Sequence, residues 1–184
     1  SEVIQLHKDE TAVCRVDLHF DNGTGIPGEW YKGAGVRFKD FAASGDGDFY
    51  LGAGDLGVAG NRVEAYGIAW TAGTYPFTFN YDGTDLDATI AGRALNYTNL
   101  ATGCDPGEYA MLQLLLRAAA GGTTEIKNLD VDGVPLGDFS VSGATQIWHF
   151  WDLGLNDGFN ITGDLVLAGT LGRGEGAKAE LQAF

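Results

Sequence analysis

The chain has 184 residues, 45% of them hydrophobic, with 29 glycines spread through it and a formal net charge of -14. That is enough apolar material for one folded domain and argues against disorder. The excess of acid, 25 carboxylates against 11 Lys and Arg, repels phosphate backbones and anionic lipid. It therefore excludes nucleic-acid binding and anionic membrane surfaces as first expectations.

The first ten residues stand apart as an N-terminal arm (1–10), ahead of a body expected over 11–184. Val3, Ile4 and Leu6 form a short apolar segment before the charged cluster Lys8-Asp-Glu10. Ala12, Cys14, Val16, Leu18 and Phe20 alternate with polar residues and predict a strand over 12–20. Val36 and Phe38 mark another. Ser44-Gly-Asp-Gly-Asp48 reads as a turn leading into Phe49–Leu51, and a Gly-rich stretch then precedes a strand within Arg62–Trp70.

Residues 75–92 carry the strongest local signal. Phe77, Phe79 and Tyr81 share one face, Asp82-Gly83 turns the chain, and Leu86, Ala88 and Ile90 share a face again. Period two on both sides of an Asp-Gly turn is a hairpin. A further strand is expected near Ala94–Tyr97.

Residues 105–120 pull two ways. Asp105, Pro106 and Glu108 fit helix-start positions, and Gly121-Gly122 would end a helix. Yet Leu112, Leu114 and Leu116 alternate with their neighbours. Tertiary context overrides propensity, so the segment is assigned to strand. Thr123–Gly133 reads as the returning strand across Gly121-Gly122. Strands are also expected at Phe139–Val141, Gln146–Trp151, Phe159–Ile161, Leu165–Ala168 and Lys178–Phe184. About a dozen short strands without a fixed repeat predict an all-β, single-domain, antiparallel β-sandwich, jelly-roll-like.

No catalytic motif is present. His7, His19 and His149 lack His or Cys partners at zinc-ligand spacing, and no Gly-x-Ser-x-Gly elbow occurs. A non-enzymatic protein is expected. Calcium is the candidate cofactor, because Asp46 and Asp48, Asp82 and Asp85, and Asp130 and Asp132 place hard oxygens on tight turns. Asp-Gly is equally a favoured hairpin turn, and none of the three segments matches an EF-hand loop. Trp148 and Trp151 are candidate stacking platforms for a sugar ring, with burial in the core as the competing reading. Asn22, Asn96 and Asn160 begin Asn-x-Ser/Thr sequons, which matter where a secreted protein is glycosylated.

Cys14 and Cys104 are the two cysteines. They are either a buried thiol and an incidental one, or a disulfide, within or between chains. Secretion would favour the bridge. No stretch has the roughly 18 apolar residues of a membrane span, so membrane insertion is not expected. The opening Ser1-Glu-Val-Ile4 has no leader pattern and is expected to be a mature end.

Three stretches resemble the secreted domains called choice-of-anchor W: Trp70–Gly83, Leu116–Gly121 with Ile126–Gly133, and Gly158–Gly163. The resemblance covers Tyr66 to Thr170 and implies an exported prokaryotic β-sandwich at the cell surface, with no catalytic residues. The expectation that follows is an extracellular or cell-surface structural subunit, a homopolymer of filament or surface-layer type. Strands would be donated from the N-terminal segment, with Val3, Ile4 and Leu6 as donor. The alternative is a polysaccharide-binding module.

Overall fold

The hairpin of residues 75–92 forms as its alternation requires. In the computed structural model, Gly73–Tyr81 pairs antiparallel with Leu86–Ile90, in the register Phe77↔Ile90, Phe79↔Ala88 and Tyr81↔Leu86. All six of those side chains are buried. The structure describes residues 4–7, 17–20, 34–39, 47–53, 56, 59–98, 111–155, 158–172 and 176–183.

Fourteen strands are described: β1 (Ile4–His7), β2 (Asp17–Phe20), β3 (Ala34–Lys39), β4 (Gly47–Ala53), β5 (Arg62–Ile68), β6 (Gly73–Tyr81), β7 (Leu86–Ile90), β8 (Arg93–Tyr97), β9 (Met111–Arg117), β10 (Gly122–Val131), β11 (Val134–Ser142), β12 (Thr145–Trp151), β13 (Phe159–Gly169) and β14 (Lys178–Ala183). They build two six-stranded sheets, β11-β10-β13-β6-β7-β8 and β12-β9-β14-β3-β4-β5, and a separate ribbon, β1-β2. Every pairing is antiparallel. The two large sheets pack face to face as a β-sandwich. Phe38 of β3 meets Phe77 of β6 across the interface, ring centroids 5.5 Å apart. Each sheet contributes alternate residues to this core, as period two dictates.

Met111–Arg117 is a strand, as the alternation of its leucines predicts. It lies between β12 and β14, so its neighbours fix its conformation through two ladders. Leu112, Leu114 and Leu116 point to the core, and Met111 on the opposite face is buried as well.

Two expectations are corrected. Thr123–Gly133 does not return beside β9 across Gly121-Gly122. β10 belongs to the opposite sheet and pairs with β11 and β13. The glycines mark a corner between layers, where the Ala118 N–H donates to Ala144 O (2.9 Å) and the Thr170 N–H to Gly121 O (3.1 Å). The second concerns Phe159–Ile161 and Leu165–Ala168, which are one strand and not two. Gly163 between them is extended and paired with Phe77. A Cβ there would lie 2.8 Å from the Phe77 ring. Glycine is required by that ring, not by a turn.

Candidate functional site

A sandwich offers its faces, edges and ends for interaction. The outer face of the first sheet carries short hydrogen-bonding side chains. Thr78 and Thr89 share a hydrogen bond of 2.7 Å between hydroxyls, and Asn96 donates to Asp87 at 2.8 Å. The outer face of the second sheet is different. Arg37 on β3 is ion-paired to Glu180 on β14 (2.5 Å), Lys39 to Asp48 on β4 (3.7 Å), and Arg62 to Glu64 along β5 (3.0 Å). At the centre stands Tyr50, with Arg62, Lys39 and Arg37 at 4.4, 5.1 and 5.9 Å from its ring centroid. Burial raises the Tyr50 pKa and Asp48 adds to the rise, against the opposing pull of Lys39.

Part of the cover over this cluster is local. Gly35 and Gly52 are register partners. A Cβ on Gly35 would touch Leu56 at 3.2 Å, and one on Gly52 would overlap Asn61 O at 1.9 Å. The missing side chains let Leu56 and Asn61 lie on the sheet, where Arg62 donates to Leu56 O (2.9 Å). The charges are thereby paired and largely withdrawn from water, so the cluster holds β14, β3, β4 and β5 together.

Beyond it, His149 on β12 meets Gln113 on β9 at 3.1 Å. Burial holds the His149 imidazole below its ordinary pKa. As pH falls, the unfolded chain takes up this proton first, so stability is full above the unfolded value of about 6.5 and declines as pH drops through it. A His149→Gln variant is expected to lose that part of the slope. Urea midpoints at about pH 7.5 and pH 5.5 check it.

The other sequence candidates are dispersed. Trp148 turns inward, half-buried, its ring edge-on to Phe139 of β11 at 5.3 Å. Trp151 lies at the end of β12 on the opposite face. Asp82 accepts from the Thr84 and Asp85 N–H groups (2.8 and 2.7 Å), which hold its carboxyl below the usual range. Asp130 accepts from the Gly133 N–H (2.8 Å) and Asp132 from the Asn160 N–H (2.7 Å). The Asp82 and Asp130 carboxylates close their own turns, and that of Asp132 ties the β10–β11 turn to the start of β13. Asp48 serves Lys39. Among the described residues, no group of three or more His, Cys, Asp or Glu side chains is arranged to hold a metal. Asn96 and Asn160 are exposed on the outer face of the first sheet. Val3, Cys14, Asn22, Asp46 and Cys104 lie outside the described residues.

Ile4 and Leu6 fall in β1, which pairs in register with β2: Ile4↔Phe20, Gln5↔His19, Leu6↔Leu18, His7↔Asp17. Apolar positions stand opposite apolar ones, and polar opposite polar. Among the described residues, the ribbon is hydrogen-bonded into neither large sheet. No family model matches the chain, and no curated protein matches it.

Proposed function

We propose that this protein is a non-enzymatic, extracellular structural subunit that assembles with copies of itself through strand addition by its N-terminal segment. The β1-β2 ribbon carries the reading. Its strands have four residues each and belong to neither six-stranded sheet. A two-stranded ribbon that short is marginal in water and gains from a further strand. Among the described residues β1 has one edge on β2 and none paired on the other side, so it can add to a neighbour's sheet while keeping its partner. Because donor and acceptor are different surfaces, the contact is head-to-tail and propagates. The resemblance to choice-of-anchor W domains supports a place outside the cell.

Deleting residues 1–10 is the test. The parent chain is expected to form filaments by electron microscopy, and the truncated chain to sediment as a monomer. Filaments unchanged by the deletion would discard the proposal.

A further inference from the structure

Period two turns Asn160 and Thr162 of β13 outward on either side of Ile161, which is fully buried in the core. Asn160 is exposed. Neither its amide nor the Thr162 hydroxyl makes a side-chain hydrogen bond among the described residues. The backbone beneath them is fixed: the Asn160 N–H donates to the Asp132 carboxylate (2.7 Å), and the Asn160 carbonyl accepts the Asp132 N–H (2.9 Å). Asn80 of β6 stands beside Asn160 in register. Its amide oxygen is closed off from water and has no hydrogen-bond partner. A polar atom in that state calls for a further group to satisfy it.

Asn160-Ile-Thr162 is an acceptor sequence for an N-linked saccharide, and so is Asn96-Tyr-Thr98 on the same face. The fold separates the two. A sugar takes the place of one of the two hydrogens on the amide nitrogen. Asn96 Nδ2 already serves two acceptors, Asp87 Oδ1 at 2.8 Å and Leu86 O at 3.4 Å, so a sugar there competes with bonds the fold makes. At Asn160 the fold loses none. The surface around it is low, because its neighbours on the face are the short side chains of Thr78, Asn80 and Thr162.

We propose that Asn160 carries an N-linked saccharide, whose first sugar lies on the β13–β6 face. A half-turn of the Asn80 amide presents its oxygen to that sugar, whose hydroxyls supply the missing donor. In the transfer, Asn160 Nδ2 bonds to the anomeric carbon of a lipid-pyrophosphate-linked saccharide. The bond from that carbon to the pyrophosphate oxygen breaks, the pyrophosphate leaves with the electron pair, and Nδ2 gives up one proton. β13 is paired by β10 and β6, so transfer precedes closure of the sheet. The proposal rests on the extracellular reading above, since such transfer acts on exported chains.

Peptide mass spectrometry on the chain purified from its own cells tests the assignment. The peptide holding Asn160 is expected to carry added saccharide mass, and to lose it in Thr162→Val, which removes the acceptor sequence and keeps both the shape and Asn160. Asn160→Gln is the second variant should the first not fold by circular dichroism. The thermal midpoint of Thr162→Val is expected to lie below that of the parent, and the same change made on an Asn80→Ala background should lower it less. A chain recovered from the cell surface with Asn160 unmodified overturns the assignment and leaves the extracellular reading standing. A chain confined to the cytoplasm overturns both. A sugar found at Asn160 whose loss lowers the midpoint equally on the two backgrounds upholds the modification and overturns the role of Asn80.

Discussion

Phe79→Ala is expected to remove about 3–5 kcal/mol of stability. Phe79 is fully buried in β6, flanked by Ala88 on β7 and Ile161 on β13, with the Phe159 ring edge-on at 5.0 Å. Truncation loses the transfer free energy of the ring and leaves a hole that paired strands on both sides cannot close. Against a total of about 5–15 kcal/mol for a typical domain, that is a large share. Thr78→Ala, one position away on the opposite face, is the control. It removes a hydroxyl bonded to Thr89 and should cost only about 0.5–1.5 kcal/mol. Urea unfolding of both variants measures the difference. Equal losses would mean that the two faces of β6 are not the inside and outside of a sandwich.

That contrast is where the sequence was most readable. Period two in Phe77, Phe79 and Tyr81, and again in Leu86, Ala88 and Ile90, fixes which face is buried without knowledge of the partner sheet. The same signal settled Met111–Arg117 against its helix propensity. A strand held by two ladders has its backbone satisfied by neighbours, and intrinsic preference is too small to compete.

What escaped the sequence depends on contacts between distant residues. Gly121-Gly122 looks like a hairpin turn, because a turn within a sheet and a corner between sheets use the same residue. The partners that separate the two, Ala144 and Thr170, lie more than twenty residues away. Gly163 looks like a strand break until the Phe77 ring is placed beside it. The charges around Tyr50 look like a solvated face. Gly35 and Gly52, apolar blanks among those charges, are the local sign that chain lies over them. For the proposed donor segment, the sequence offers only the apolar spacing of Ile4 and Leu6.

Gly169→Ala is expected to cost clearly more than Gly133→Ala, although both residues have left-handed backbones (φ +68° and +86°). At Gly133, in the β10–β11 turn, a Cβ would enter open space. The cost there is the left-handed penalty alone, about 1–2 kcal/mol. Gly169 ends β13 opposite Gly122, and a Cβ would fall 2.3 Å from Gly121 O. That atom accepts the Thr170 N–H, and it belongs to the corner where β9 leaves the second sheet for β10 in the first. Gly122 cannot retreat, since its own Cβ position lies 2.0 Å from Thr170 O. Backbone faces backbone on both sides, so no side chain can swing away, and strain adds about 1–3 kcal/mol to the penalty. Thermal unfolding should therefore place Gly169→Ala well below Gly133→Ala, by roughly 2–4 °C for each kcal/mol in a chain of this size. Gly133 sits in a turn within one sheet, whereas the Gly121–Gly169 contact lies at the corner where the chain passes from one sheet to the other. Coincident midpoints for the two variants would show that the corner yields to the added methyl group.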